Sequence, residues 1–373
     1  MTKPSPLPDV LTRIAERERT DPETYPAESI AALYEAGVVS APFPARLGGS
    51  DMDLAGAVAA IEDIACASPS CALIASMPLG LAGVLALGSE IAPDAHRGAW
   101  SEQIERIADD YRAARIYAAC NSEKGAGGSL AATRTVATRR AGNGIFELTG
   151  EKILASAGRN ASVFFSTAKV TQEDLPGAGV VEFFLVKVDG EGVSILDDWD
   201  GFGMRPTESH TVRYHAAPAL EVFGFPNFIE RVQPIQYWFC LFAAIPLGCA
   251  KAILRATATP TPQSPALRLR LAEATMRYEA MRAYLLETAR AFRAGAGPVY
   301  AARALRTKTY VSQEAVKLCA ELFALSGGRN YRRTSAVARA LADSFAGTSL
   351  RPPLALALDG LVESFSLGEA AAP

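Results

Sequence analysis

The sequence predicts an α+β fold in which a helical part, a β part and a second helical part follow one another. Residues 9–115 are rich in Ala, Leu and Glu, and their apolar residues recur at helical spacing. Residues 116–219 change to short runs of β-branched and aromatic residues that Gly, Asn, Asp and Pro interrupt. Helical patterns then return, and residues 267–294 and 300–325 are long amphipathic segments without an internal proline.

The first part is predicted to be an N-terminal helical domain of residues 1–115. Within it, Leu54, Val58, Ile61 and Ile64 recur at i, i+4, i+7 and i+10, which places them on one face of a helix. Prolines at intervals divide this part into several helices rather than one.

The second part, residues 116–225, is predicted to be a middle antiparallel β domain. Several strands within about a hundred residues are typical of a compact sheet or barrel. Strands are expected over residues 134–139, 145–148, 162–170, 180–188 and 210–215.

The third part, residues 226–373, is predicted to be a C-terminal helical bundle. The Thr- and Pro-rich residues 257–265 are predicted to form a loop. The pair Gly327-Gly328 is expected to end the last long helix, because glycine tolerates the backbone conformation found after helix C-termini.

Composition excludes several classes of function. The net charge of -3 offers no basic excess for a nucleic-acid backbone. Six scattered cysteines without a C-x-x-C pair indicate neither a disulfide framework nor a metal site, and they fit a cytoplasmic protein. The first ten residues hold three prolines and no unbroken apolar run, so no signal peptide is expected. Apolar stretches such as residues 237–245 are expected to be too short to span a membrane.

Two short segments carry the strongest functional signal. Residues 119–129 read Ala-Cys-Asn-Ser-Glu-Lys-Gly-Ala-Gly-Gly-Ser, and residues 148–158 read Leu-Thr-Gly-Glu-Lys-Ile-Leu-Ala-Ser-Ala-Gly. Such small residues allow a backbone to approach a ring or a pyrophosphate closely. Together the segments resemble the flavin-contacting segments of the acyl-CoA dehydrogenase family, which read roughly T-E-P-G-A-G-S-D and L-N-G-E-K-x-W-I-T-N-G.

The resemblance extends over almost the whole chain. Further matches to the family's pattern are Pro26, Leu33, Gly37, Pro42, Gly48-Gly49, Gly203-Met204-Arg205 and Ser209-His210. The resemblance implies an N-terminal helical domain, a middle β domain and a C-terminal four-helix bundle. It also implies FAD as cofactor, an acyl thioester as substrate, and assembly as a homodimer or homotetramer, possibly with a related subunit.

The alignment implies specific flavin contacts. Cys120 and Ser122 would face the flavin ring, and Gly127 and Gly128 would lie near the pyrophosphate. The family's R-x-x-F-G motif, which reaches the partner subunit's FAD, has no counterpart in residues 256–263.

The second segment implies two more contacts. Leu154 stands where the family has a tryptophan that covers the ring, so it would supply apolar contact without stacking. Ser156 stands in the place of a threonine that reaches the N5 side of the flavin.

The family's catalytic glutamate has no counterpart. Its position falls on Ala346 in one alignment and on Arg351 in the preferred one. An alternative base position found on an earlier helix falls on Trp238, followed by Phe239. Because a guanidinium stays protonated, Arg351 is not a general base at neutral pH. Two interpretations remain for Arg351: it binds an anionic substrate group or stabilises an enolate-like charge, or it is a solvated residue at a helix end.

Three functions are consistent with these residues. The main hypothesis is a cytoplasmic, FAD-dependent oxidoreductase of acyl-CoA dehydrogenase type that acts on the CH–CH group of an acyl thioester. The first alternative is a flavin-dependent monooxygenase on the same fold, which needs no carboxylate base. The second alternative is a non-catalytic subunit of a hetero-oligomeric acyl-CoA dehydrogenase. Tyr237, Trp238, Phe239 and Phe242 predict a bulky apolar wall near the pocket.

Overall fold

The α+β fold predicted from the sequence is confirmed by a computed structural model that describes residues 7–126, 130–141, 144–171 and 179–366. The helices of these residues are α1 (Leu7–Thr20), α2 (Ala27–Glu35), α3 (Leu54–Ala67), α4 (Pro69–Ile91), α5 (Arg97–Arg112), α6 (Phe228–Val232), α7 (Ile235–Ala258), α8 (Pro265–Arg290), α9 (Gly297–Leu325), α10 (Ala336–Ser344), α11 (Ala346–Ser349) and α12 (Leu354–Ser366). The strands are β1 (Tyr117–Ala119), β2 (Val136–Arg139), β3 (Phe146–Ala155), β4 (Val163–Val170), β5 (Val181–Lys187), β6 (Val193–Ile195) and β7 (His210–Phe223).

The N-terminal helices follow the predicted apolar spacing. Leu54, Val58, Ile61 and Ile64 are all buried on one face of α3. Asp53 caps the N-terminus of this helix, because its side chain accepts a hydrogen bond from the backbone N–H of Gly56. The division of the chain at residues 115 and 225 stays a prediction, and the strands lie between residues 117 and 223.

The strands form a sheet that closes on itself. The order is β1-β4-β2-β3-β7-β5, β4 also pairs with β5, and β6 pairs with β7. Most pairs are antiparallel, as predicted, but β1 and β2 pair with β4 in parallel. The short strands β1 and β6 were not predicted, because three residues carry too little alternation to be recognised.

The C-terminal helices form the predicted bundle. Helices α7, α8 and α9 pack against one another, and α10 packs against α7 and α9. Gly248 on α7 allows a close approach to α3, since a Cβ at this position would lie 2.6 Å from the Glu62 carbonyl oxygen. The predicted loop over 257–265 is shorter in the structure, because α7 continues to Ala258 and α8 begins at Pro265.

Two helices correct the expectation that the apolar stretches are short. Helices α4 and α7, of 23 and 24 residues, are long and apolar enough to cross a membrane. Their apolar windows are 89% and 78% buried within the protein. Their composition is therefore accounted for by their place in the core, against each other and α3.

Candidate functional site

A mostly apolar cavity of about 280 Å³ lies where the N-terminal helices, the sheet and the C-terminal helices meet. Residues from all three parts line it, including Leu73, Met77, Asn121, Ser122, Leu154, Ser156, Phe165, Trp199, Phe202, Met204, Trp238, Phe242, Ala346, Leu350 and Arg351. Four of the predicted site residues, Ser122, Leu154, Ser156 and Arg351, therefore meet at one cavity. Arg351 lies about two hundred positions after the other three in the chain, so only the fold brings it to them.

A buried ion pair joins the two glycine-containing segments behind the cavity. Lys152, whose side chain is 0% exposed, donates from Nζ to Glu123 Oε1 at 2.7 Å and to the Thr167 carbonyl at 2.6 Å. The Glu123 carboxylate also accepts from the backbone N–H groups of Arg134 and Thr135 at 2.7 and 3.0 Å. Because both charges are buried and hydrogen bonded, the pair fixes the position of each segment relative to the other.

The environment of Glu123 keeps its carboxylate ionised. Burial by itself raises the pKa of Glu123. The hydrogen bond and positive charge of Lys152, together with the two backbone donors, lower the pKa by more than burial raises it. The net effect is a pKa of about 2. The carboxylate is therefore charged throughout the neutral range and balances the ammonium group of Lys152.

Leu154 reaches the cavity from an irregular point of β3. The pairing of β3 with β7 shifts in register between Lys152 and Ala155. At this shift Leu154 has a φ of 59° and a side chain that is 51% exposed and lines the cavity. A left-handed conformation costs a leucine about 1–2 kcal/mol. Backbone strain of this kind is characteristic of ligand-binding positions.

A chain of hydroxyl groups lies under the other end of the same segment. Ser156 Oγ lies 2.9 Å from Ser209 Oγ, which lies 2.7 Å from Thr207 Oγ1. Thr207 Oγ1 donates to the Met204 carbonyl at 2.8 Å. Each hydroxyl has one proton, so Ser209 donates to Thr207 and Ser156 donates to Ser209. The Ser156 oxygen is therefore left as a hydrogen-bond acceptor toward the cavity.

Arg351 enters the cavity from the turn between α11 and α12. Its guanidinium donates to the Asn121 carbonyl at 2.9 Å, which links the C-terminal helices to the first glycine-containing segment. Behind the turn, Lys308 Nζ donates to the carbonyls of Leu350 and Pro352 at 2.8 and 2.7 Å. Burial lowers the pKa of Arg351 to about 10, so its guanidinium remains protonated at neutral pH.

Aromatic side chains form part of the apolar lining of the cavity. The Trp238 indole stacks on Phe165 with ring centroids 5.8 Å apart, and its Nε1 donates to the Ser76 carbonyl at 3.1 Å. Gly80 makes room for it, because a Cβ there would lie 2.4 Å from Trp238 Nε1. Trp238 and Phe242 thus form part of the predicted apolar wall.

The other two aromatic residues of that prediction do not line the cavity. Tyr237 is buried against α4, where its hydroxyl faces Gly83, and Phe239 packs against the hydrophobic core.

One predicted flavin contact, Cys120, does not line the cavity, and two others fall outside the described residues. Cys120 is fully buried and is not among the lining residues, since its side chain points into the sheet. All six cysteines are free thiols, and burial raises the pKa of Cys120. Gly127 and Gly128 lie outside the described residues.

Some lining residues were missed from the sequence. Asn121 stands between the predicted contacts Cys120 and Ser122. Its side-chain oxygen accepts a hydrogen bond from the Thr167 N–H at 2.8 Å. Trp199 and Phe202 lie in a loop without regular structure, where periodicity carries no signal. The one sequence signal near them was the Gly203-Met204-Arg205 segment, which matches the family's pattern.

No base for carbon–hydrogen chemistry appears in the described lining. Among the residues that the structure describes, the lining includes no carboxylate, imidazole or thiol, and Arg351 is its one charged side chain. Ala346, Arg351 and Trp238, the three positions where the alignments place a base, all line the cavity. Asp343 lies behind the lining, where it accepts from the Met204 N–H at 2.6 Å and burial raises its pKa to about 7.

The donor set of the cavity fits a flavin ring. The hydroxyl of Ser122 suits a ring carbonyl oxygen, and Ser156 offers an acceptor for a ring N–H group. Leu154 offers an apolar surface for one face. A polar edge opposed to an apolar face is the arrangement that an isoalloxazine requires.

The fold and the site together define a chain with a mostly apolar cavity at the meeting of its helical, β and helical parts. Sequence profiles of the acyl-CoA dehydrogenase N-terminal, middle and C-terminal domains match residues 9–93, 118–217 and 249–349. The chain belongs to the acyl-CoA dehydrogenase family, as the resemblance predicted. Membership places it among flavin-dependent oxidoreductases of this fold.

Curated relatives point to two kinds of chemistry. The probable acyl-CoA dehydrogenase YngJ of Bacillus subtilis is 23% identical over 336 residues, which cover 86% of this chain and 84% of that protein. L-evernosamine nitrososynthase of a Micromonospora species is 28% identical over 213 residues, which cover 57% of this chain and 47% of that protein.

Solved structures show the same fold with both kinds of protein. KijD3 in complex with FMN and a dTDP-sugar superposes with a TM-score of 0.80 at 23% identity, covering 97% of this chain and 92% of that chain. TdsC of Paenibacillus sp. A11-2 with FMN and indole gives 0.79 at 20% identity, covering 96% of both. Butyryl-CoA dehydrogenase of Megasphaera elsdenii gives 0.79 at 18% identity, covering 98% and 100%.

Proposed function

We propose that this protein is a flavin-dependent monooxygenase that acts on a small, largely apolar substrate. One observation carries the proposal: the described lining of the cavity includes no carboxylate, imidazole or thiol. Dehydrogenation of an acyl thioester requires a group that accepts the α-proton. Oxygen insertion with a reduced flavin has no such requirement, so the lining suits it without a further residue.

Three residues would hold the flavin. Ser122, Leu154 and Ser156 line the cavity and supply hydroxyl and apolar contacts. When bound and reduced, the flavin would supply the activation of molecular oxygen. FAD is the cofactor that the family resemblance implies, and FMN is the flavin in the KijD3 and TdsC complexes. Release of the bound flavin by heat and chromatography against both standards decides between them.

The other residues of the cavity exclude water and orient the substrate. Phe165, Trp238 and Phe242 form an apolar part of the lining, and Met77 adds a flexible thioether to it. Apolar side chains around the reacting atoms would keep water away from them and so limit hydrolysis and proton leakage. The aromatic residues favour a substrate with an aromatic or aliphatic body.

Two comparisons support the monooxygenase proposal. The nitrososynthase relative is named for a nitrogen oxidation, and another solved structure of TdsC is named a dibenzothiophene monooxygenase, at 20% identity and a TM-score of 0.76. The described lining of this protein lacks a base, and relatives of the same fold are named for oxidation reactions. Both facts are consistent with a monooxygenase. Fold alone does not fix the reaction, so the lining residues carry the argument.

The dehydrogenase hypothesis is the second candidate. It is favoured by the YngJ relative, which aligns over 86% of this chain. For this chemistry a proton acceptor must come from elsewhere, such as a related subunit, which is the third hypothesis of a non-catalytic partner. Light scattering of the purified chain, alone and with a related subunit, tests the predicted homodimer or homotetramer against a mixed assembly.

The deciding experiment is anaerobic spectroscopy of the flavin-loaded protein. We expect the oxidised flavin band to persist during addition of short-, medium- and long-chain acyl-CoAs. After chemical reduction, admission of oxygen with an indole or amino-sugar probe is expected to yield an oxygenated product by mass spectrometry. Bleaching of the flavin by any acyl-CoA would overturn the proposal in favour of a dehydrogenase.

A colourless protein that takes up neither FMN nor FAD would also contradict the proposal. That result favours the non-catalytic subunit, and reconstitution with a related chain is its positive test. The three hypotheses thus give three different spectra.

A further inference from the structure

Arg351 carries a charge that no described carboxylate balances at close range. No carboxylate oxygen of a described residue lies within 4.0 Å of its guanidinium, and the one hydrogen bond found among these residues goes to a backbone carbonyl, that of Asn121. The nearest acidic influence, Glu123, is already bound to Lys152 and two backbone N–H groups. A largely buried charge without a counterion is costly, so the arrangement favours an anionic ligand.

The backbone on both sides of Arg351 is held from behind. Lys308 is 2% exposed, and its ammonium group donates to the carbonyls of Leu350 and Pro352, the two neighbours of Arg351. Among the residues described, no carboxylate pairs with Lys308, and burial lowers its pKa to about 7. These hydrogen bonds fix the backbone of the turn, so that the Arg351 guanidinium is held toward the cavity.

The rest of the described lining is mostly apolar. Phe165, Trp238 and Phe242 contribute aromatic surface, whereas Arg351 is the one charged side chain of the described lining. A molecule that satisfies this lining has an aromatic or aliphatic body and one anionic group. The guanidinium fork matches a carboxylate geometrically, because two parallel N–H groups meet two oxygens.

We propose that Arg351 is the anion-binding residue of the cavity, that Lys308 positions it, and that the substrate is an aromatic or apolar molecule bearing a carboxylate. This inference deepens the proposed function and rests on it only in taking this cavity as the substrate site. In it, Arg351 acts as a binding residue and Lys308 as a positioning residue that touches no substrate.

Calorimetric titration of the flavin-loaded protein tests the inference with two probes of equal size, benzoate and benzyl alcohol. We expect benzoate to bind at least about tenfold more tightly, because charge-assisted hydrogen bonds are the strong ones. Arg351→Gln is expected to remove this preference while leaving the affinity for benzyl alcohol within about twofold. Equal affinities in the unmodified protein, or a preference that survives Arg351→Gln, would overturn the inference.

Lys308→Met tests the positioning role, because methionine keeps the apolar stem and removes the donors. The expected result is a severalfold loss of affinity for benzoate alone. General damage to the fold would weaken both probes, so the ratio of the two affinities separates positioning from structure. An unchanged ratio would exclude the role of Lys308. Lys317→Met, an exposed lysine on the same helix that pairs with Glu314, is the matched control.

A poorly folded Lys308 variant leaves the first two comparisons intact, and Lys308→Gln is the milder second variant. None of these titrations measures turnover. Bleaching by an acyl-CoA would therefore reject the monooxygenase while the benzoate preference still stood, and the two failures are distinguishable.

Discussion

At the residue scale, the cavity depends on buried charges that are neutralised in different ways. Lys152 is balanced by Glu123, Lys308 by two carbonyls, and the raised pKa of Asp343 keeps much of its carboxyl protonated near neutrality. The sequence motifs marked the segments of Glu123 and Lys152 but not their pairing. Partners 29 positions apart are joined by the sheet, which no local pattern describes.

Removal of one member of the buried pair tests how strongly it holds the two segments. Glu123→Gln is expected to destabilise the protein by about 3–5 kcal/mol, because the Lys152 ammonium is left buried without a carboxylate. The free energy of unfolding from urea titration measures this loss.

The double variant provides the control. Glu123→Gln combined with Lys152→Met removes both charges, so its loss should be clearly smaller than that of Glu123→Gln alone. Additive losses would show that the two residues act independently and would refute the coupling.

Asp343 makes stability depend on pH. Its carboxyl is buried, and its pKa is raised from 3.8 to about 7, so the folded state binds a proton between these values that the unfolded state has lost. Its contribution to stability is therefore full below about pH 4 and is lost as the pH rises through about 7. The whole effect amounts to about 4 kcal/mol at most.

Asp343→Asn is expected to flatten the difference in unfolding free energy between about pH 4 and pH 7, because the amide cannot ionise. Denaturant titrations at several pH values, compared with the unmodified protein, measure this change. A variant whose slope matches that of the unmodified protein would show that Asp343 titrates at its ordinary value.

At the element scale, α4 shapes the cavity through its glycines. Gly80 receives the Trp238 indole and Gly83 the Tyr237 ring, so α7 packs closely on α4. The sequence predicted the α7 aromatic wall, but it did not predict which two of its four residues face the cavity. That choice depends on the rotation of α7 against α4, which is set by the position of these glycines.

Gly80→Ala is expected to destabilise the protein by about 1–3 kcal/mol and to displace the Trp238 indole, because the new Cβ would overlap its Nε1 atom. Thermal unfolding and the tryptophan fluorescence maximum report the two effects. Gly98→Ala on α5 is the matched control, since nothing lies within 4 Å of its Cβ, and it should gain up to about 1 kcal/mol. Equal behaviour of the two variants would contradict the packing argument.

At the scale of the whole molecule, the cavity is lined by residues from all three parts of the chain. α4, the sheet, α7 and the Arg351 turn each supply part of its wall. The α–β–α order, the strands and the helix bundle were predictable, because periodicity and turn residues are local signals. Contacts such as Arg351 with Asn121, 230 positions apart, were not, because only the complete fold creates them.

A ligand that bridges all these parts should stabilise the whole protein. We expect FMN at a hundredfold excess over its Kd to add about 2.7 kcal/mol to stability. FAD should give no larger shift in Tm, because the family's motif for the partner's FAD is missing from residues 256–263. Thermal scans with FMN, FAD and AMP measure this. A shift with AMP, or a distinctly larger shift with FAD, would reveal an adenine site.

The Arg351 turn has a consequence for biosynthesis. During translation the N-terminal helices and the strands leave the ribosome well before residues 343–351, which supply the contacts to Met204 and Asn121. Until that last segment docks, the cavity lacks its one charged wall among the described residues and stands open to water. Completion of the cavity is therefore expected to be a late event in the maturation of the chain, and a nascent chain stalled before residue 343 would lack the one charged side chain of the described lining.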